Sequence, residues 1–416
     1  MKQGRRLSTD VFLAKACQLL VLNRKFPGVV AIAPLIASHS GITTGAFELA
    51  FSFRESMMSC TKIFISAILV LATLVACAST SSESSKKISL DNKPKHHTSS
   101  GYQNHPFVET AASKGIFFYM RRAWDSLFVP DVPDGHALTE LESLQLLNII
   151  SSDRVTWLGH ASFLITTSGV TILTDPFLSK FASPVSWAGP KRFVDLPIPI
   201  NKLPPIDIVI VSHNHYEHLD DETVRQLENK NEIHVVVPLG LKSFFTERGY
   251  SKVMELDWGQ SVSVEGIEIT AEPSVHDSAR STSDHNETLW ASWVIESFQK
   301  RIFFVGDTGY SETIFNRVGD KYGSFDFAIL PIGAYEPREL MWMSHTTPEE
   351  AISIGIDVRA KTLIASHWGT ISSLSDEPIF EPPIRFKKAG RDSGFSDKDL
   401  WTMKVGETRA IAATKN

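Results

Sequence analysis

From about Phe117 to its end, the chain alternates short apolar runs with polar turns. Short runs rich in valine, isoleucine and phenylalanine, bounded by glycine, proline, asparagine or serine, are typical of β-strands. Two pairs of runs are joined at Ser168-Gly169 and at Gly266, which indicates hairpins. The pattern predicts strands at Val155–Leu158, Ser162–Thr167, Val170–Thr174, Ile206–Val211, Ile233–Val237, Ser261–Glu265, Ile267–Ala271, Trp290–Glu296, Arg301–Val305, Phe327–Leu330 and Thr362–Ala365.

Longer amphipathic runs predict helices at Asp221–Lys230, Leu239–Arg248 and Pro348–Ile356, the last with a proline in its first turn. Helices separate the strands in some parts of the chain, and hairpins join them in others. We therefore expect an α/β (α+β) fold. Two mixed β-sheets would pack face to face as an αββα sandwich, with helices on the outside.

The residues before Phe117 show a different pattern. Residues 63–75, IFISAILVLATLV, are almost uniformly apolar and follow a lysine. Such a run fits the apolar region of a signal peptide and is short for a membrane span, which needs about 20 residues. It ends in LVAC at residues 74–77, which resembles the lipobox of bacterial lipoproteins and implies lipidation at Cys77. A buried core helix and a plain membrane anchor are the alternatives.

This N-terminal pattern predicts the domain organisation. A signal peptide should begin a chain, so residues 1–56 are interpreted as an upstream extension of the reading frame without an assigned function. Residues 57–77 are interpreted as a lipoprotein-type signal peptide. Residues 78–116 include a polar stretch of serine, lysine and histidine, and we expect them to form a flexible tether. Residues 117–416 form the predicted main domain.

Composition narrows the chemistry of the main domain. The chain has 416 residues, a net charge of −6 and a pI near 6.2, without a long run of lysine or arginine. A broad basic face for nucleic acid is therefore not expected. The three cysteines, Cys17, Cys60 and Cys77, all precede the main domain. Any metal ion in that domain must therefore be bound by histidine, aspartate and glutamate.

Potential metal ligands follow four of the predicted strands. His213 follows IDIVIV, His276 follows TAEPSV, Asp307 follows RIFFV, and His367 follows TLIA. A single histidine after a strand is usually structural, but four such strand ends at one edge of a sheet indicate a binding site. Imidazole and carboxylate ligands together suit zinc, iron or manganese.

The densest part of this pattern is SHNHYEHLD, residues 212–220. His213 and His215 are two residues apart, so they project to the same side of an extended chain. Glu217 and His218 follow where the chain turns into the next predicted helix. One loop can thus offer two pairs of ligands. A carboxylate between them could bridge two metal ions, and Asp307 is the candidate.

The HNHYEH string, with the strand-end ligands, resembles the metallo-β-lactamase superfamily. Further strings resemble the N-acylphosphatidylethanolamine-hydrolysing phospholipase D family over roughly residues 115–405; they are VTWLGHASFLI, ILTDP, GPKRF, PPIDIVIVSHNHYEHLD, FFVGDTGY, PIGAYEPR, HTTPEEA and ASHWGT. The resemblance implies a metallo-β-lactamase-like fold for the hydrolase domain and two zinc ions per chain. It implies that one zinc is bound by His213, His215 and His276, and the other by Glu217, His218 and His367, with Asp307 bridging.

The sequence departs from the family at Glu217, where the family has aspartate. Glutamate keeps the charge but adds a methylene, so the second zinc is the less certain of the two. His345 is expected either to contact the substrate phosphate beside Asp307 as a catalytic group or to be only a helix-entry residue. Asp175, after a strand, is expected to orient a ligand from outside, and His160 to be structural or to do the same.

Two further segments have alternative interpretations. His285 is a weaker alternative to His276, because no strand precedes it. Residues 341–343, MWM, form either a lipid-facing lip or buried packing.

The resemblance implies a function. It is a metal-dependent phosphodiester hydrolase that cleaves N-acylphosphatidylethanolamine to N-acylethanolamine and phosphatidic acid. The lipobox-like string separately predicts a lipid anchor that holds the protein on a membrane of the bacterial cell envelope. Its partner would be a phospholipid and not a nucleic acid. The alternatives are a lactonase or nuclease of the same superfamily, or a lipoprotein that binds metal or lipid without turnover.

Overall fold

The structure is a computed structural model, and it describes residues 93–108, 115–126, 128, 130–150, 153–298 and 300–411. The predicted extension, the signal peptide with Cys77, and the first part of the predicted tether lie outside these residues. The strands form two seven-stranded sheets. Their bounds are β1 Arg154–Gly159, β2 Ser162–Thr167, β3 Val170–Thr174, β4 Ile208–Ile210, β5 His234–Pro238, β6 Lys252–Leu256, β7 Ser261–Val264, β8 Ile267–Glu272, β9 Ser292–Glu296, β10 Arg301–Phe304, β11 Phe327–Pro331, β12 Thr362–Ser366, β13 Leu400–Trp401 and β14 Thr408–Ala410.

The helices connect these strands or precede them. Their bounds are α1 Ile116–Asp125, α2 Glu140–Ile149, α3 Asp221–Gln226, α4 Lys242–Thr246, α5 Glu312–Tyr322, α6 Arg338–Met341, α7 Pro348–Asp357 and α8 Pro382–Asp392, with 3₁₀ turns at Ile200–Lys202 and Asp397–Asp399. Within the described part of the chain, every helix is too short or too polar to cross a bilayer.

Both sheets are mixed. The first has the order β14-β1-β2-β3-β4-β5-β6, antiparallel from β14 to β3 and parallel from β3 to β6. The second has the order β13-β12-β11-β10-β9-β8-β7, parallel from β13 to β10 and antiparallel from β10 to β7. The predicted hairpins are present as β2–β3 and β7–β8.

The main core lies between the two sheets. Ile165 of the first sheet and Trp293 of the second belong to one buried cluster. Leu164, the neighbour of Ile165, belongs to another cluster with Val224 of α3 and Phe245 of α4. Side chains alternate between the faces of a strand, so the first sheet packs on the second sheet with one face and on helices with the other. The predicted αββα sandwich is confirmed.

The predicted strands are all present, and two predicted helices are shorter than expected. Helix α3 begins where Asp220 caps it, by accepting hydrogen bonds from the N–H groups of Glu222 and Thr223. It ends before Leu227, which has an extended backbone and a buried side chain. Gly240 has a φ of +94° and therefore cannot belong to α4, which starts only at Lys242.

Residues 93–108, within the predicted tether, are packed on the domain; we call them the N-terminal strap. Nε2 of His96 lies 2.6 Å from one carboxylate oxygen of Asp257, and Nε2 of His97 lies 2.7 Å from the other. The N–H of Tyr102 donates to the carbonyl of Asn286 at 2.8 Å. Packed structure therefore begins well before the predicted boundary at residue 117.

Candidate metal centre

The first group of candidate ligands consists of His213, His215 and His276. Nε2 of His213 lies 2.9 Å from Nδ1 of His215 and 3.1 Å from Nε2 of His276. Nε2 of His276 lies 3.3 Å from Nδ1 of His215. Nitrogen atoms bound to one tetrahedral metal ion at about 2.0–2.1 Å are about 3.3 Å apart. The three rings thus have nearly the spacing that one metal ion requires, and His213 and His215 converge as predicted.

Hydrogen bonds from outside the group orient these rings. Nδ1 of His276 lies 2.9 Å from the carbonyl oxygen of Ser344, and Nδ1 of His213 lies 2.9 Å from the hydroxyl of Ser212. A carbonyl can only accept, so Nδ1 of His276 carries the proton and donates it. Nε2 of His276 therefore presents a lone pair towards the other two imidazoles.

The second group is centred on Asp307. Its Oδ2 lies 3.1 Å from Nε2 of His218, 3.0 Å from Nε2 of His367 and 4.0 Å from Nε2 of His276. These three histidines and Asp307 are buried. The oxygen is therefore next to ligands of both groups, which is the position that a bridging carboxylate needs.

Polar atoms at this second group lack ordinary partners. Among the described residues, neither carboxylate oxygen of Asp307 forms a hydrogen bond of acceptable geometry, and the same holds for Nε2 of His218 and of His367. Leaving such groups buried and unpaired is costly. A cation placed among them would satisfy all of them, so the residues present fit a metal ion.

The electrostatics of the two groups also suit metal binding. Burial and the neighbouring imidazoles hold the pKa of His213 well below its usual value and lower that of His276 to about 4, so both rings are neutral at pH 7. Burial opposes ionisation of Asp307, but His218 and His367 outweigh it and hold the pKa of this carboxyl well below its usual value. His213 and His276 thus offer neutral imidazoles and Asp307 an ionised carboxylate, the forms that bind metal. Burial lowers the pKa of His218, but Asp307 and Asp175 outweigh it and hold this pKa well above its usual value, so His218 must lose a proton when it binds metal.

Asp175 contacts His218 from outside the group. Its carboxylate is fully buried and accepts hydrogen bonds from the N–H of Ser212 at 2.6 Å and the hydroxyl of Ser212 at 2.7 Å. Its Oδ2 also lies 2.6 Å from Nδ1 of His218. With Nδ1 bonded to Asp175, Nε2 of His218 is the nitrogen that faces Asp307 and would bind a metal ion.

His160 lies in the turn between β1 and β2, with a φ of +53°. Its ring centre is 3.9 Å from that of His367, and its carbonyl accepts the N–H of His367 at 3.0 Å. One of its ring nitrogens also lies close to those of His218 and His367. His160 therefore supports His367 directly, and its side chain belongs to the wall of the second group.

Gly306 allows the two sheets to meet at the centre. It precedes Asp307 and has a φ of +65°, which side chains rarely adopt. A Cβ atom at this position would lie 2.4 Å from Cβ of Ser212. Glycine is therefore required for the end of β10 to approach the loop that follows β4.

His345 lies beside the second group. Its Nδ1 is 3.6 Å from Oδ2 of Asp307, and the two residues form a compact donor group with His367. Nη1 of Arg338 donates to the carbonyl of His345 at 2.6 Å, and the guanidinium of Arg338 is bound by the carboxylate of Glu350. His345 is thus fixed at the centre before α7 begins, where it can contact a substrate.

Glu217 is placed differently from the expected ligand position. Within the described part of the chain, it belongs to none of the compact groups of potential donors. The N–H groups of His218 and Leu219 both donate to the carbonyl of His215, so this part of the loop is a helical turn. Consecutive residues of such a turn point about 100° apart. Because His218 faces Asp307, Glu217 leaves this turn in a different direction from His218.

The remaining open alternatives have different outcomes. His285 lies 3.7 Å from Asp277, has a largely exposed ring and is not part of the centre. Met341 is buried, and Trp342 and Met343 are half-buried, so this segment is mostly packing.

Sequence reasoning missed two kinds of feature. Asn104 of the strap brackets His276: its side-chain amide donates to the carbonyl of His276 at 2.9 Å and accepts the N–H of His276 at 3.1 Å. No local sequence pattern indicates the contact between Asn104 and His276. Helix α1 presents an apolar face with Phe117, Met120 and Trp124 exposed, and this spacing was available in the sequence.

A cavity of about 290 Å³ opens beside the second group. His160 and His367 form part of its wall, and much of the rest is apolar, including Phe128, Trp368, Ile371, Leu374 and Ile379. Asp125, Glu377 and three serines also line it, so a substrate that reaches the metal centre through this cavity would contact both apolar and polar side chains.

Comparison with known proteins agrees with this geometry. Residues 170–368 match the family model described as Beta-lactamase superfamily domain. The chain is 39% identical over 263 residues to N-acyl-phosphatidylethanolamine-hydrolyzing phospholipase D 1 of Caenorhabditis elegans, which covers 61% of this chain and 74% of that protein. It is 36% identical over 262 residues to the mitochondrial N-acyl-phosphatidylethanolamine-hydrolyzing phospholipase D of Saccharomyces cerevisiae, covering 62% of this chain and 55% of that protein.

A solved structure shares the fold. It is a possible metal-dependent hydrolase from Veillonella parvula, with a TM-score of 0.50 and 18% identity, covering 63% of this chain and 100% of that one. Together with the two groups of buried donors around Asp307, these similarities show that the chain belongs to the metallo-β-lactamase superfamily as a metal-dependent hydrolase.

Proposed function

We propose that the protein is a zinc-dependent phosphodiesterase that hydrolyses N-acylphosphatidylethanolamine to N-acylethanolamine and phosphatidic acid. The proposal rests on one observation: two donor groups share Asp307 and lie beside a cavity that has both apolar and polar side chains in its wall. The similarity to two proteins named for this reaction supports the choice of substrate.

The donors in the centre are imidazoles and a carboxylate, which suit zinc. His213, His215 and His276 would hold one ion, and His218 and His367 would hold the other, with Asp307 between them. When bound, zinc polarises phosphoryl oxygens and lowers the pKa of water to about 7.

The residues of the chain serve the reaction around this centre. In the net reaction, a water oxygen bonds to phosphorus, the bond from phosphorus to the ethanolamine oxygen breaks, and that oxygen gains a proton. His345 lies next to Asp307 and is held by Arg338, so we assign it to contact with the phosphate. Asp175 and Ser344 keep ring nitrogens of His218 and His276 directed inwards.

The exposed apolar side chains of helix α1 support the proposal that the enzyme acts at a lipid surface. Phe117 is 81% exposed and Trp124 is 56% exposed, and both lie with Met120 on one face of the helix. Phe128 follows this helix, is itself exposed, and lines the cavity. Large exposed apolar patches mark interaction sites, and the patch and the cavity share Phe128. Lipidation at Cys77 and a place on the cell-envelope membrane complete the proposal.

The decisive experiment uses the full chain loaded with zinc and vesicles that contain N-acylphosphatidylethanolamine in ¹⁸O-labelled water. Attack at phosphorus places the label in phosphatidic acid and leaves N-acylethanolamine unlabelled. Asp307→Asn should abolish turnover together with metal binding. Turnover of a lactone without turnover of this lipid or of bis-p-nitrophenyl phosphate would contradict the proposal, and so would label in N-acylethanolamine.

A further inference from the structure

We infer that Arg280 is a positioning residue of the metal centre, which holds the loop of residues 213–219, the metal loop, in its ligand-presenting shape. Nη1 of Arg280 donates to the carbonyl oxygen of Asn214 at 2.8 Å and to that of Leu219 at 2.6 Å. The two carbonyls lie near opposite ends of the loop. One charged nitrogen therefore closes the loop on either side of His215 and His218.

Aromatic stacking adds to these hydrogen bonds. The guanidinium of Arg280 lies 4.0 Å from the ring centre of Tyr216 and 5.1 Å from that of Phe244. The hydroxyl of Tyr216 donates back to the carbonyl of Arg280 at 2.8 Å. The metal loop and Arg280 thus contact each other through both side chain and backbone.

The backbone of Arg280 is itself fixed, and its place in the chain matters. Its N–H donates to the carboxylate of Asp284 at 3.0 Å. Arg280 follows His276 by four residues, so the segment that supplies this ligand also clamps the loop that supplies His213 and His215. Arg280 thereby joins the two segments that form the first donor group.

Arginine suits this role better than lysine. Its planar guanidinium can stack on Tyr216 and Phe244 while its N–H groups point to fixed acceptors, whereas an ammonium is a point charge on a flexible stem. Residues that orient metal ligands without touching the metal typically contribute 10–100-fold to metal affinity or activity.

The inference depends on the metal centre, and on the proposed function only through that centre. The test is therefore the zinc affinity of the metal-stripped full chain, measured without substrate by competition with a chromophoric chelator. We expect Arg280→Gln to weaken zinc binding by roughly 10–100-fold and Arg280→Lys to be intermediate. The melting temperature of each metal-stripped variant measures any separate loss of fold stability.

Arg248→Gln is the matched control. Arg248 stacks on the same Phe244 ring, at 3.6 Å, but donates to the carbonyl of Phe244 and to Asp221 rather than to the metal loop. We expect its zinc affinity to equal that of the wild type. Unchanged zinc affinity in Arg280→Gln, or an equal loss in Arg248→Gln, would overturn the inference. Absence of phospholipid turnover in the wild type would contradict only the proposed function.

Discussion

Replacing Asp175 by asparagine should remove the second metal ion selectively. In the wild type, Oδ2 of Asp175 accepts a hydrogen bond from Nδ1 of His218 at 2.6 Å, which leaves Nε2 of His218, beside Asp307, to bind the metal ion. Asparagine can keep the hydrogen bond from the N–H of Ser212 by accepting it on its oxygen. Its NH₂ group then meets Nδ1 of His218 as a donor, which favours the tautomer with the proton on Nε2.

The size of the effect follows from this mismatch. To bind metal, His218 must return the proton to Nδ1, where two donors then face each other in a fully buried position. The loss is one buried, charge-assisted hydrogen bond, about 1.5–3 kcal/mol. Each 1.4 kcal/mol is tenfold in affinity, so the second ion should bind roughly 10- to 150-fold more weakly. The first group meets Asp175 only indirectly, through the hydroxyl of Ser212, which lies 2.7 Å from Oδ2 of Asp175 and 2.9 Å from Nδ1 of His213, so its ion should be weakened less.

The assay is a zinc titration of the metal-stripped protein against a competing chelator, which resolves the two binding steps. Imidazole ¹⁵N spectra report the tautomer of His218 directly. Asp220→Asn is the control, because Asp220 is a buried aspartate that follows the metal loop, caps α3, and belongs to none of the groups of candidate metal ligands among the described residues. Equal weakening of both ions in Asp175→Asn, or unchanged binding of the second, would refute the reasoning.

Four further predictions follow from other parts of the molecule. Glu217→Ala should retain both zinc ions, because Glu217 belongs to none of the compact donor groups among the described residues; selective loss of the second ion in metal analysis would instead support the ligand role expected from the sequence. Cys77→Ala should move the protein from the membrane fraction to the soluble fraction, and continued membrane association would exclude the lipid anchor. Phe117→Ser should weaken vesicle binding by roughly 10- to 150-fold, because burying a phenylalanine contributes about 1.5–3 kcal/mol. Phe298→Ser, in the exposed turn between β9 and β10, should leave vesicle binding unchanged. Asp257→Asn should destabilise the fold by about 1–3 kcal/mol at neutral pH in urea unfolding. Burial raises the pKa of Asp257, but the two strap histidines outweigh it and lower the pKa below its usual value, so the difference should fade only as pH falls below about 3.9.

The strands could be predicted where apolar residues fill a short run between turns. Strand β6 was missed because its sequence, KVMEL, interrupts the apolar positions with charge. Strands β13 and β14 have only two and three residues, and their pairing with β12 and β1 defines them rather than any local pattern. Helix α8 was missed because its buried residues form a narrow stripe among charged positions.

The strand-end pattern correctly predicted that His213, His276, Asp307 and His367 lie close together. Each of them follows a strand, and the position of a strand end depends little on the connecting loops. The direction of Glu217 could not be predicted in this way, since it depends on the turn that follows His215.

Contacts between distant segments also escaped prediction. Asn104 is 172 positions from His276, and neither residue has a local pattern that indicates the contact. The same holds for Arg280 and the metal loop. Every residue has a backbone carbonyl, so the residue type at the acceptor position does not indicate such a hydrogen bond.

The N-terminal strap changes what counts as the smallest working unit of this protein. The match to the superfamily begins at residue 170, and the pattern of apolar runs begins near residue 117. A protein shortened to either boundary would lack Asn104, whose side chain hydrogen-bonds to both the N–H and the carbonyl of His276. A protein that started at residue 117 would keep every candidate metal ligand. It would hold His276 less rigidly, because Asn104 would be missing. Its metal affinity would then describe an artefact of truncation, so a shortened version for biochemical work should start before Lys93.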